Sequence, residues 1–368
     1  MPSLAEEDPS GRIHPPTQHA TLRDVSREAG VSLATADRVL NNRPGVREIT
    51  SRKVMEASTR LGYHANPFAA RLARGDAYHL MFILPAGANP FMQGLAGQVA
   101  RMGPHLARQR TSVSISNVRQ MDPGLLAAAL DGVGEDVHGV AVVALDHPQV
   151  RAAIARLSAR GVAVVTLVSD APGSGRLGYV GIDNVAAGRT AGALLGRMSG
   201  GRTGTLGTIA GSVDLRDHSD RLDGCTAVLQ AEYKQLRVAP ARYGLDEDEA
   251  CFALTRELLQ TVPDLIGLYL VGAGTVGAAR ALHEAGRAHN VLLVGHELVD
   301  AARRWLRDGT IDALINQDAG HEARSAVRHL LARLTGEPIL LDQERIRIEI
   351  FLRDNAPPED ATHEDMDR

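Results

Sequence analysis

The stretch Thr21-Leu22-Arg23-Asp24-Val25-Ser26-Arg27-Glu28-Ala29-Gly30-Val31-Ser32-Leu33-Ala34-Thr35-Ala36-Asp37-Arg38-Val39-Leu40 decides the architecture of the first part of the chain. Thr21 and Asp24 stand at the spacing of a capping box, in which the hydroxyl and the carboxylate each accept from an orphan amide, so a helix is predicted from Leu22. Gly30 tolerates the positive φ with which helices stop, and Ser32 is placed to cap a second helix over Leu33 to Leu40. Two short helices joined by a tight turn containing glycine form a helix-turn-helix. Beyond the loop Asn41 to Gly45, Thr50 is expected to cap a third helix that ends near Leu61, with Gly62 as its stop. Val25, Ala29, Val31, Val39, Leu40, Ile49, Val54, Ala57 and Leu61 then supply a small apolar core.

Charge separates this segment from the rest. Between Ala20 and Gly75 there are ten Arg and Lys against five Asp and Glu, a local +5, so the net charge of −4 for 368 residues leaves −9 on the remainder. A basic helix-turn-helix beside an acidic bulk fits contact of the small part with phosphates. With 44% hydrophobic and 23% charged residues, collagen-like and mostly disordered chains are excluded. Cys225 and Cys251 have no zinc-type spacing and form no disulfide scaffold, which fits a reducing cytoplasm. The longest apolar runs, such as Leu80 to Leu84 and Val162 to Val168, are strand-sized, and no membrane partner is expected. Residues 1–19 carry acids and prolines rather than a secretory signal, and they and the acidic residues 353–368 are expected to be disordered tails.

From His79 onward short β-rich runs alternate with amphipathic helical stretches. Predicted strands are 79–84, 112–117, 139–144, 162–168, 178–182, 205–210, 265–271, 291–294 and 313–316, with helices such as 93–107, 149–160, 186–198, 221–231, 247–259 and 319–334 between them. That alternation implies α/β architecture with helices on both faces of parallel sheets, and the length implies two doubly wound lobes.

The run 21–32 with Thr35-Ala36-Asp37-Arg38-Val39-Leu40-Asn41 and Leu61-Gly62-Tyr63 resembles the DNA-binding headpiece of the lactose repressor family of bacterial regulators. Asn66, Ala69 and Leu72 fall at the spacing of that family's hinge helix, and the likeness extends to about Leu352. The resemblance implies a headpiece at 20–65, a hinge at 66–76 and a two-lobed, periplasmic-binding-protein-like core at 77–352. The first lobe would take 77–182 and 313–339, and the second 183–312 and 340–352. It further implies a homodimer on pseudo-palindromic operator DNA, contacted through Thr21, Ser32, Leu33, Ala34, Thr35, Asp37, Arg38, Asn41, Tyr63, Asn66, Ala69 and Leu72. Arg38 suits bidentate reading of guanine, the apolar Leu33 and Ala34 suit thymine methyl groups, and Leu72 would be the wedge of the hinge in the minor groove.

In the core the resemblance places an effector against Asn89, Phe91, Asp183, Arg221, Gly272, Gly274, Glu297 and Gln317. Asp170 stands in for a family Asp replaced by Leu167. Carboxylate, guanidinium, amide and an aromatic face suit a sugar or polyol, whose hydroxyls both donate and accept. A competing reading comes from Gly272-Ala273-Gly274-Thr275-Val276-Gly277, a G-x-G-x-x-G between a strand and a helix, with Glu297 where a ribose-binding acid would stand. It leaves open a redox-sensing repressor that binds a dinucleotide, or an NAD-dependent oxidoreductase. The motif begins far into the α/β region rather than on its first strand, so no cofactor is expected. His218, His296 and His321 lack metal-ligand spacing, no catalytic elbow or P-loop is present, and neither a metal nor enzymatic turnover is expected.

Overall fold

The computed structural model describes residues 20–40, 44–63, 77–119 and 122–357. The chain divides into two compact units, 1–76 and 77–368.

In the first unit α1 spans Leu22–Glu28, α2 Leu33–Leu40 and α3 Glu48–Arg60. The capping box is formed: Asp24 N donates to Thr21 Oγ1 at 3.3 Å and Thr21 N donates to Asp24 Oδ2 at 2.9 Å. Gly30 adopts φ +66°, and Thr35 N donates to Ser32 Oγ at 3.1 Å. Helix α3 starts earlier than the expected Thr50 cap. Its N-cap, Arg47, makes no side-chain capping bond, and Glu48 supplies the negative charge that a helix start favours. Val25, Ala36, Val39, Val54 and Ala57 form the buried core. Ile49 and Leu61, expected there, are exposed. Ile49 precedes Val54 by five positions, which at about 100° per residue puts it on the far side of α3, and Leu61 is the C-cap, where the chain already leaves the helix.

The second unit holds two sheets. The first comprises β1 (Tyr78–Ala86), β2 (Thr111–Arg119), β3 (Gly139–Val142), β4 (Ala163–Leu167) and β5 (Gly178–Val180) in the order β2-β1-β3-β4-β5, all parallel. Helices α4 (Pro90–Arg108), α5 (Pro123–Asp131) and α6 (Pro148–Ala159) connect these strands. The chain crosses to the second lobe before α7 (Asn184–Met198). There follow β6 (Gly204–Ala210), α8 (Arg216–Glu232), β7 (Leu236–Val238), β8 (Arg242–Tyr243), α9 (Asp248–Thr261), β9 (Leu265–Leu270), α10 (Thr275–Glu284), β10 (Leu292–His296), α11 (Asp300–Arg307) and β11 (Ala313–Asn316). Helix α12 (Ala319–Thr335) returns to pack on α4, β3 and β4, and β12 (Glu349–Phe351) closes the second sheet, ordered β12-β11-β10-β9-β6-β7 with β8 on β6.

Three expectations change. Strand β11 pairs with β10, so 313–316 belongs to the second lobe and the return crossover follows Asn316. Strand β12 is antiparallel to β11, because the chain re-enters the second sheet from the lobe it has just revisited, so that sheet is mixed rather than wholly parallel. Residues 353–357 are not part of a free tail: Ala356 packs on the second lobe's apolar cluster and Arg303 Nη1 donates to Pro357 O at 2.6 Å. In both sheets the strand order reverses, beside β1 and beside β6, and such switch points leave a crevice beyond the carboxyl ends of the strands.

Candidate effector cleft and DNA-binding surface

On α2, Val39 and Ala36 turn inward while Leu33, Ala34 and Arg38 are exposed on the opposite face. Ser32 and Thr35 are engaged with one another, their hydroxyls 2.8 Å apart, and Thr21 is engaged in the capping box. The charge of Asp37, after burial, adds to the rise in the pKa of the Tyr63 phenol, so the two side chains are neighbours across the headpiece. Asn41, Asn66, Ala69 and Leu72 lie outside the described residues.

The carboxyl ends of the strands enclose a cleft between the lobes. An inner recess of about 60 Å³ opens into a chamber of about 600 Å³, with Asn89, Phe91, Arg119, Asp246, Ala273, His296 and Glu297 shared by both. The lobes also touch directly: Asp146 N donates to Asp214 O at 2.9 Å, Arg216 lies 3.5 Å from Asp146, and Leu215 joins the apolar cluster of the first lobe.

Arg221 is the centre of the polar wall. One turn into α8 and 2% exposed, it donates from Nε to Asn184 Oδ1 at 2.8 Å and from Nη1 to Val271 O at 2.9 Å. Its Nη2 has no hydrogen-bond partner and stands 3.9 Å from Asp217 Oδ2, while Asp217 Oδ1 is also unpartnered. Gly211 N donates to His218 Nδ1 at 2.9 Å, which turns Nε2 toward Asp217 and Asp246. Glu297 accepts from Gln317 Nε2 at 2.8 Å and from Gln317 N at 3.3 Å, leaving Gln317 Oε1 unpartnered. Burial raises the Glu297 carboxyl to about 7, against the opposing pull of Arg221. Burial likewise holds His296 well below its ordinary value, hence neutral; its Nε2 lies 2.8 Å from Tyr269 Oη and its Nδ1 has no partner. Beneath the cleft, burial pushes the fully buried Glu322 carboxyl well up.

Backbone strain gathers at the same place. Val168, Asp246 and Glu297, all lining the recess, have φ of +63°, +59° and +68°. A β-branched residue in the left-handed region is a true outlier, and such outliers persist where the surroundings over-determine them.

Of the expected effector residues, the structure brings Asn89, Phe91, Arg221, Gly272, Glu297 and Gln317 to the recess and Gly274 to the outer chamber. Asn89 also caps α4, its Oδ1 accepting from Phe91 N at 3.0 Å. Asp170 and Asp183 do not join them and line a separate depression. The Asp170 carboxylate accepts from both Nε and Nη2 of Arg176, and Asp183 accepts from Ala186 N at 2.9 Å as the cap of α7. Asp217, His218 and Asp246 were not among the expected residues. Asp217 precedes Arg221 by one helical turn, which is the one local signal that could have found it.

The glycine motif has a packing explanation. A Cβ at Gly272 would meet His218 and Asp246, one at Gly274 would meet Cys251 Sγ at 2.2 Å, and one at Gly277 would meet Asp248 O at 1.9 Å. Gly277 N donates to Asp248 Oδ1 at 3.1 Å, and Ala273 hydrogen-bonds to Asp246. Carboxylates thus occupy the amides that a pyrophosphate would need, so the dinucleotide reading is not favoured.

Comparison with known proteins agrees with this geometry. Residues 80–338 match the model of the periplasmic binding protein domain, and residues 21–66 match that of bacterial regulatory proteins of the lacI family. The chain belongs to the lacI family of bacterial regulators. As a member, it is a DNA-binding transcriptional regulator with a periplasmic-binding-protein-like core. It is 24% identical to the ribose operon repressor of Bacillus subtilis (strain 168), over 87% of this chain and 93% of that protein. To catabolite control protein A of Priestia megaterium it is 33% identical over 33% of this chain, a match that spans only 36% of that protein. A solute-binding protein of an ABC transporter from Burkholderia graminis C4D1M, in complex with D-arabinose, shares the core fold with a TM-score of 0.70 at 21% identity, covering 76% of this chain and 97% of that one. Among the described residues no helix is long and apolar enough to cross a membrane, and no group of three or more His, Cys, Asp or Glu could hold a metal ion.

Proposed function

We propose that this regulator is a repressor that acts in the cytoplasm as a homodimer on a pseudo-palindromic operator, and that a sugar or polyol bound in the cleft controls its operator affinity. Two-fold symmetry of the dimer matches two half-sites, with Leu33, Ala34 and Arg38 directed to base edges. The protein works by binding rather than turnover. The observation that carries the effector reading is the set of buried polar atoms left without partners: Arg221 Nη2 as donor, and Asp217 Oδ1 and Gln317 Oε1 as acceptors. A buried polar group without a partner costs free energy, and hydroxyls, which donate and accept at once, satisfy a mixed set of this kind. The ribose operon repressor and the arabinose-bound neighbour are in keeping with this reading. An effector that binds the two lobe arrangements unequally shifts their populations and thereby the state of the DNA-binding segment.

A thermal-shift screen of the whole chain against monosaccharides, polyols and NADH tests the proposal. Stabilisation is expected with at least one sugar or polyol and is expected to vanish in Arg221→Ala while operator binding persists. A shift with NADH alone would sink it.

A further inference from the structure

A chain of hydrogen bonds leads from the polar wall of the recess across the crossover between the lobes. Arg221 Nε donates to Asn184 Oδ1 at 2.8 Å and Asn184 Nδ2 donates to Tyr179 Oη at 2.9 Å, while Tyr179 Oη lies 2.8 Å from Val168 O and 3.2 Å from Ile182 O. Asn184 opens α7 in the second lobe, whereas Tyr179 in β5 and Val168 after β4 belong to the first. The chain has one direction. A guanidinium has donors only, so the amide of Asn184 turns its oxygen to Arg221 and its nitrogen to Tyr179. The phenol then accepts from Asn184 and has a single proton to give, which goes to the nearer carbonyl, that of Val168. Burial holds the Tyr179 phenol well above its ordinary value, so that proton stays in place. Gly181 makes room for the arrangement, since a Cβ there would stand 2.1 Å from Tyr179 Oη.

The far end of the chain is the strained residue of the first-lobe wall. Val168 has φ +63° and lines the recess, and a β-branched residue keeps such a φ only while its surroundings hold it there. The Tyr179 hydroxyl on its carbonyl is one of those restraints. Released from it, the Val168 backbone has the ordinary negative φ to return to, so this residue has two settings. At the near end Arg221 Nη2 has no partner in the protein.

We propose that Asn184 and Tyr179 are positioning residues through which an effector bound to Arg221 sets the backbone of Val168, and with it the first-lobe wall. This rests on the reading of Arg221 as an effector contact and goes beyond it by naming the route between the lobes. An oxygen that accepts from Arg221 Nη2 turns the guanidinium plane, and the bonds behind it, which polarise one another, shift together.

Titration of the whole chain with ribose, arabinose, glucose, galactose, xylose and myo-inositol selects the tightest of the six as probe. Operator affinity is then measured without the probe and at its saturation, on a duplex that the native chain selects from a random pool. For the native chain the ratio of the two affinities is expected to be about 5- to 150-fold. Tyr179→Phe removes the proton given to Val168. Asn184→Asp is of the same size and still accepts from Arg221, but it draws the Tyr179 proton to itself and away from Val168. Both variants are expected to keep most of their affinity for the probe and to lose most of the ratio. An unchanged ratio in both would overturn the inference and leave the sugar reading standing. So would weaker probe binding with the native ratio restored at saturation, which would make the two residues a support for Arg221 alone. If none of the six binds at millimolar concentration while the chain still binds its operator, the sugar reading fails and the inference falls with it.

Discussion

Glu297→Gln is expected to change how the stability of the core depends on pH. Burial raises this carboxyl from an ordinary 4.5 to about 7, so the folded chain holds the proton more tightly than the unfolded one. The resulting stabilisation is fully present below pH about 4.5 and is lost as pH rises through about 7. At about 1.36 kcal/mol per unit, the difference amounts to on the order of 3 kcal/mol over the full window, and about 2 kcal/mol of it falls between about pH 5 and 8. The amide variant has the same shape and keeps an oxygen to accept from Gln317, but it has no proton to exchange. Asp246, whose rise comes from burial and not from Glu297, titrates in both proteins and largely subtracts out, whereas Glu322, held up by burial and then by the Glu297 charge, shares part of the difference with Glu297. Trp305, the one tryptophan of the chain and buried in the second lobe, reports unfolding of that lobe in urea by its fluorescence. Across that pH range the native chain should lose about 2 kcal/mol relative to the variant. Parallel pH dependences would refute the claim that burial holds a proton on Glu297.

Gly188→Ala should cost roughly 1 to 3 kcal/mol in the same assay, because its Cβ would stand 1.9 Å from Arg221 O where α7 crosses α8. Effector affinity should fall with it, since Arg221 would shift, and an unchanged affinity would show that the guanidinium is not held by this crossing. In the headpiece, Arg38→Ala should relax base preference at one operator position at a cost of roughly 1 to 3 kcal/mol if its contact is bidentate. Equal weakening on every sequence, with a shallower salt dependence, would instead make Arg38 a phosphate contact.

The headpiece was legible in the sequence because its signals are local. Thr21 with Asp24, Gly30 and Ser32 each act within a turn of themselves, and the structure places each where its chemistry requires. Helix α3 starts three residues before the point the Thr50 cap predicts, because its actual N-cap, Arg47, makes no side-chain bond that a sequence could announce. In the core, the apolar runs identify every strand whose side chains are mostly buried, and β5 besides, whose three residues lead into the apolar Val180 to Ile182, whereas β7, β8 and β12 are two or three residues long with mostly exposed or half-buried side chains and leave neither a run nor a period to read. The site was legible in part. The resemblance points to Arg221 and Glu297, which the structure brings to the recess, whereas Asp246 sits in a loop in a left-handed conformation that an aspartate does not advertise, and it reaches the cleft only through the tertiary fold. Gly272, Gly274 and Gly277 had the spacing of a phosphate-binding turn, but Cys251 and the carboxylates of Asp246 and Asp248 had already taken the space and the amides. Sequence spacing does not record that occupancy. Asp170 failed for a similar reason, because its partner Arg176 lies six positions downstream in a loop with no period.

The contact of Asp146 with Asp214 and Arg216 joins the two lobes through protein groups alone. A contact of this kind weights one lobe arrangement against another, and the apparent dissociation constant of a ligand scales inversely with the fraction of molecules in the arrangement that binds it. Sensitivity to the signal can thus be tuned at this contact, by changes that leave the polar wall of the recess, and so the molecule that fits it, unaltered. Two regulators with identical recesses could respond at very different effector concentrations.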